Sequence, residues 1–99
     1  MIRQATDADY LRICALLQAA LLPTAGLRDQ YAHVYVLDVG DRVIGVVAFE
    51  SYPPSALLRS LVVLPDEQGK GYGHQLLKFI LDTVLHQGCQ QAFALTTTI

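Results

Sequence analysis

The sequence predicts an α+β domain in which helices cover the faces of a largely antiparallel sheet. Three observations lead there. Several short runs are rich in β-branched and aromatic residues, the composition of strands. Two segments, Tyr10 to Leu21 and Gly71 to Gln87, carry apolar residues at helical spacing. The closing strand–helix–strand succession, Leu57 to Thr98, has the order of a parallel pair joined by a right-handed crossover. The full order reads β-α-(α)-β-β-β-α-β in one continuous unit, residues 1–99, without repeats or linkers.

Ile2 to Ala5 forms a short first strand, and Thr6 is a candidate N-cap with Asp9 three positions on, an imperfect capping box. Tyr10, Ile13, Cys14, Leu17 and Leu21 then line one face of a helix that Pro23 should end, because proline lacks the amide a helix needs. A short second helix is expected around Leu27 to Tyr31. Val34 to Val39 and Val43 to Glu50 make an antiparallel hairpin through the turn Gly40-Asp41. Tyr52-Pro53-Pro54-Ser55 interrupts, and Leu57 to Leu64 is a nearly continuous apolar strand, the pattern of burial on both faces. In the last helix Leu76, Leu77, Ile80, Leu81, Val84 and Leu85 give a wide apolar stripe, and Gly88 sits where a left-handed C-cap belongs. Gln91 to Thr98 is the final strand.

Composition narrows the function. Apolar residues make up 53% of the chain and charged residues 16%, oily for a domain with so much surface per residue. Seven basic and nine acidic side chains give a net charge of -2 without any basic stripe, which argues against a nucleic-acid partner. No apolar run approaches the roughly 20 residues needed to span a bilayer, so no membrane role is expected. Cys14 and Cys89 match no metal-ligand spacing and read as buried, reduced thiols of a cytoplasmic protein.

The most informative stretch is Leu61-Val62-Val63-Leu64-Pro65-Asp66-Glu67-Gln68-Gly69-Lys70-Gly71-Tyr72-Gly73-His74. An apolar strand enters a turn with three alternating glycines, and an amphipathic helix leaves it. Glycines let a ligand approach the backbone closely, and the first amides of a helix have no intrahelical acceptor. Together with the helix dipole these features suit a phosphate, each charge-assisted bond contributing about 1.5–3 kcal/mol. The spacing G-x-G-x-G matches neither the dinucleotide fingerprint nor a nucleotide-triphosphate loop. A tight turn in which glycines only relieve sterics is the structural alternative.

Gln68, Gly71 and Gly73 do fit the pattern Q/R-x-x-G-x-G/A. In this and in its element order the chain resembles the GNAT superfamily of N-acetyltransferases. That resemblance implies acetyl-CoA as cosubstrate, its pyrophosphate held by Gln68 and by amides of Gly69, Lys70, Gly71, Tyr72, Gly73 and His74. It also implies a pantetheine arm pairing with the backbone of Leu61, Val62 and Val63, in a V-shaped gap between Leu57–Leu64 and Gln91–Thr98. Lys70 reads equally as a solvated loop lysine, and His74 as a helix-start residue facing solvent.

Acetyl transfer to an amine is helped by a general base. Where relatives often place a glutamate for this, on the strand before the loop, this chain has Leu57. Glu50 is the remaining candidate, with a salt bridge to Arg59 as its structural alternative. Arg59 interrupts an apolar strand and is either paired or lines a cavity, where it would bind an acidic group of the acceptor. Leu22 to Leu27, Leu57 to Leu61 and Leu95 to Thr98 further resemble a GNAT subgroup linked to arsenic resistance, which implies an amino-acid-like arsenical as acceptor and Thr96, Thr97 and Thr98 as hydroxyl donors. The resemblance also implies a C-terminal helix and two strands, often carrying a tyrosine acid, beyond the point where this chain stops. An open edge at Gln91 to Thr98 and the apolar excess predict a homodimer. Two functions compete: an N-acetyltransferase acting on a small amine, and a non-catalytic CoA-binding or interaction module.

Overall fold

Each strand lies beside its sequence neighbour in the computed structural model, which describes residues 1–94, giving a sheet in the order β1-β2-β3-β4-β5. The strands are β1 (Ile2–Gln4), β2 (Val34–Val39), β3 (Arg42–Tyr52), β4 (Ser55–Val63) and β5 (Gln91–Ala94), and the helices α1 (Tyr10–Ala19) and α2 (Tyr72–His86). The first three pairings are antiparallel and the last, β4 with β5, is parallel. This is the α+β layout the sequence predicts. The portion of the expected last strand from Leu95 to Thr98, with its threonines, lies outside the described residues.

Alternation along β3 builds two buried layers. Val46 and Ala48 pack with Ile13, Leu16 and Leu17 of α1, whereas Val47 and Phe49 pack with Leu76, Ile80 and Val84 of α2. Successive strand residues point to opposite faces, so the sheet is covered on both. Gly88 adopts φ +86 and closes α2 as expected, with Cys89 N–H donating to the Val84 carbonyl at 3.1 Å.

At the first helix start, the Thr6 N–H donates to Asp9 Oδ2 at 2.8 Å and the Asp9 N–H to the Thr6 carbonyl at 3.0 Å, so the capping box forms, around a 3-10 turn. Asp9 also receives two bonds from Arg3, at 2.7 and 3.1 Å, and Arg3 reaches Asp38 at 3.2 Å. This cluster ties β1, the start of α1 and β2 together.

Four expectations need correction. The first helix stops at Ala19, well before Pro23: Leu21 turns left-handed at φ +59, and the Leu22 N–H donates to the Leu17 carbonyl at 2.8 Å. That is a Schellman closure with leucine where glycine is usual. Leu21 is exposed, so Leu21→Gly should relieve the strain and raise stability by about 0.5–1 kcal/mol. A thermal melt checks this, with a Tm a few degrees higher expected.

The second helix is a 3-10 segment, Arg28–His33, rather than an α-turn over Leu27 to Tyr31. Tyr52-Pro53-Pro54-Ser55 does interrupt the chain between two strands, as the tight turn joining β3 to β4, with Tyr52 paired to Ser55. Cys89 is buried but Cys14 is only half-buried. Finally, β4 is not buried on both faces: Ala56, Leu58 and Val63 are, while Arg59 to Val62 are half-buried. The reason for that exposure lies in the sheet's geometry at β4.

Candidate functional site

The sheet opens at β4. Between the pairs Val46↔Val62 and Ala48↔Arg59, two steps on β3 match three on β4. Ser60 accommodates the extra residue with φ +63, uncommon without glycine and typical of a bulge. On its other edge β4 pairs with β5 from Ser55↔Gln91 to Leu58↔Ala94. Beyond Leu58 that edge has no strand partner among the described residues. At the bulge, β4's backbone lines a groove of ≈ 970 Å³, walled on one side by the end of α1 and closed at its far end by Gly69, Gly73 and His74. A smaller pocket of ≈ 300 Å³ shares Leu22, Leu58, Arg59 and Ser60 with it and adds Pro23, Glu50 and Leu57.

At the far end the turn sets the backbone amides. Gly69 and Gly71 have φ +83 and +86, which a side chain would strain by about 1–2 kcal/mol each. Among the described residues, the N–H groups of Gly69, Lys70, Gly71, Tyr72, Gly73 and His74 donate to no protein acceptor. The helix ladder begins only with Gln75, whose N–H donates to the Gly71 carbonyl at 3.1 Å. A Cβ at Gly69, Gly71 or Gly73 would meet nothing within 4 Å, so the turn faces open space. Six adjacent donors at a helix start fit an anion such as a pyrophosphate.

Gln68 differs from the amides beside it: its side chain donates Nε2–H to the Val63 carbonyl at 2.9 Å, buttressing the turn against β4. Lys70 is engaged with Glu67 at 3.0 Å, and that carboxylate raises its pKa. His74 is exposed at the groove's rim. Leu61, Val62 and Val63 all line the groove.

Glu50 and Arg59 meet. Arg59 stands opposite Ala48 in register, diagonal to Glu50 on the same face of the sheet, and its Nη1 lies 2.6 Å from Glu50 Oε2. Glu50 Oε1 accepts the Tyr52 hydroxyl. Hydrogen bonding from Tyr52 first, and then from Arg59, holds the Glu50 carboxyl below its ordinary range against the opposing cost of burial. A base with a raised pKa is therefore not what this carboxylate is; the salt bridge is the arrangement that forms. Glu50 pairs directly with Leu57 across the strands. Arg59 also donates Nη2–H to the Ala25 carbonyl at 3.4 Å, drawing the segment after α1 over the small pocket.

Reasoning from sequence missed Tyr52 and the Ser60 bulge. Strand alternation places Tyr52 on the face of Glu50, a signal that was available. Nothing in Arg59-Ser60-Leu61 marks a bulge.

A sheet covered on both faces, with a bulge on β4 and a groove that runs from it to a glycine-rich strand-to-helix turn, defines the α+β domain. This chain belongs to the acetyltransferase (GNAT) family, whose model matches residues 3–99. A comparison with curated protein sequences finds no match. Among solved structures, the chain is similar to N-acetylglutamate synthase from Neisseria gonorrhoeae complexed with coenzyme A and N-acetyl-glutamate, with 27% identity and a TM-score of 0.90 over 99% of this chain and 25% of that one. A Mycobacterium tuberculosis protein solved with CoA shares the fold at 22% identity and a TM-score of 0.88, over 98% of this chain and 64% of that one. So does a GNAT family acetyltransferase from Brucella melitensis in complex with acetyl-CoA, at 20% identity and 0.83, over 99% and 76%. The chain thus spans about a quarter of the synthase and about two thirds of the mycobacterial protein.

Proposed function

We propose that this chain binds acetyl-CoA in the groove along β4 and transfers the acetyl group to the amine of a small acidic acceptor. The observation that carries the reading is the run of amides from Gly69 to His74 without protein acceptors among the described residues, at the end of a groove that follows β4. Those amides and the buttressing Gln68 hold the pyrophosphate; the backbone of Leu61 to Val63 pairs with the pantetheine arm. Acetyl-CoA supplies the acetyl group at the end of that arm, near Arg59 and Ser60. The Lys70 side chain, tied to Glu67, contributes charge more than contact, and the His74 side chain lies at the rim.

The acceptor enters the smaller pocket. Arg59 reads its acidic head, and Glu50 accepts a hydrogen bond from its amine. Because Glu50's pKa is lowered, it is a weak base, and the neutral amine is supplied by pH. The acceptor is amino-acid-like: a synthase of similar fold is complexed with N-acetyl-glutamate, and an amino-acid-like arsenical fits the same description. Two unpaired thiols suit a reducing, cytoplasmic setting. Exposed Leu85 and Phe93 suit a homodimer.

One observation favours a second reading, a CoA-binding module without catalysis: both oxygens of Glu50 are already engaged. A thiol-release assay with acetyl-CoA across a panel of amines separates the two. Catalysis predicts release with an acidic amine, rising above pH 8, and an acceptor KM roughly tenfold higher in Arg59→Ala for the loss of a charge-assisted bond. Release with no amine favours the module, and an unchanged KM removes Arg59 from the acceptor site.

A further inference from the structure

Tyr52 is absent from the roles assigned so far, yet its hydroxyl is bonded to Glu50, whose other oxygen is bonded to Arg59. We propose that Tyr52 is a positioning residue for acceptor recognition, acting through Glu50 to hold the Arg59 guanidinium toward small acidic acceptors. The inference rests on the acceptor pocket proposed above and deepens it.

The geometry follows from strand alternation. Ala48, Glu50 and Tyr52 share one face of β3, and Arg59 stands opposite Ala48 on β4. The carboxylate therefore lies between a cation on the neighbouring strand and a phenol on its own. With one oxygen, it would be free to turn and release the arginine. Held at both oxygens, it cannot rotate, and Arg59 keeps one orientation with a second contact to the Ala25 carbonyl at 3.4 Å. Arg59 Nε–H has no protein acceptor among the described residues, which leaves it available to an acceptor's anionic head. The side chains of Arg59 and Glu50 are only 21% and 18% exposed, sheltered enough for an oriented pair to matter, whereas Tyr52 itself is exposed. The phenol also adds to the forces that keep Glu50 ionised in mildly acidic solution. Tyr52 on β3 and Arg59 on β4 are the titratable and charged groups that face it.

The test compares Tyr52→Phe and Tyr52→Ala with the unmodified chain. In Tyr52→Phe the Arg59 Nη1–H signal, whose acceptor is Glu50, followed by NMR, should exchange with water several-fold faster, while CoA affinity stays unchanged. The Glu50 carboxyl should titrate at higher pH, because a donor to its ionised form is gone. With the best acidic amine of the panel, KM should rise roughly fivefold, the worth of one hydrogen bond, with kcat unchanged. Loss of the effect in Tyr52→Phe but its presence in Tyr52→Ala would mean the ring only packs, and would overturn the proposal. So would an unaltered Arg59 signal in both. The NMR arm needs no turnover, so a chain without transferase activity would refute the catalytic reading and still decide this one.

Discussion

Replacing Gly73 by aspartate is expected to weaken CoA binding roughly 100-fold while leaving the fold intact, since about 3 kcal/mol follows from losing one or two charge-assisted bonds. The loop's shape and its charge can be altered separately. Gly69 and Gly71 hold left-handed backbone, so substitutions there would damage the turn itself. Gly73 does not, and a Cβ at that position meets nothing within 4 Å. An aspartate fits, and in the first turn of α2 its charge is favoured by the helix dipole by about 0.3–1 kcal/mol. Its carboxylate would occupy the same amides and repel an incoming phosphate. Tm should be unchanged or slightly higher, and CoA affinity should collapse. A variant that melts normally and binds CoA like the parent would place the phosphate elsewhere.

The second large effect concerns stability. Asp9 is buried, forked by Arg3, and caps the turn into α1 through Thr6. Asp9→Ala removes the fork and the cap and should cost about 3 kcal/mol. In a domain of this size that is a Tm lower by roughly 12–24 °C. Arg3's hydrogen bonds, with those of Thr6, pull the Asp9 carboxyl down to about 2 from 3.8. A depressed folded-state value means the stabilisation is complete above the unfolded pKa and fades as pH falls toward 2. About 2 kcal/mol should therefore vanish between pH 4 and pH 2. Melts across that range should show parent and Asp9→Ala converging. A gap that stays constant with pH would show that charge is not what Asp9 contributes.

Both effects involve residues whose roles were partly legible. Thr6 and Asp9 announced a helix start, but Arg3 and Asp38, distant in sequence, gave no sign of completing the cluster. The glycine turn was legible because Pro65 fixes its own φ and because Gly69 and Gly71 take left-handed backbone that other residues avoid. The end of α1 was not, because Leu21 takes a glycine's conformation without being one. Pro53-Pro54 is legible as an interruption between two runs, but its being a tight turn that pairs them depends on the register of β3 and β4. The pairing of Glu50 with Arg59 was recognised as one of two options, and only register decided between them. The Ser60 bulge, which opens the groove, rests on a long-range mismatch between strands that no local pattern encodes.

Isothermal titration of the chain with CoA decides whether the amides from Gly69 to His74 hold a pyrophosphate. Saturable binding of one CoA per chain is predicted, displaced by inorganic pyrophosphate and lost in Gly73→Asp. Absence of saturable heat, or equal binding by parent and variant, would contradict it.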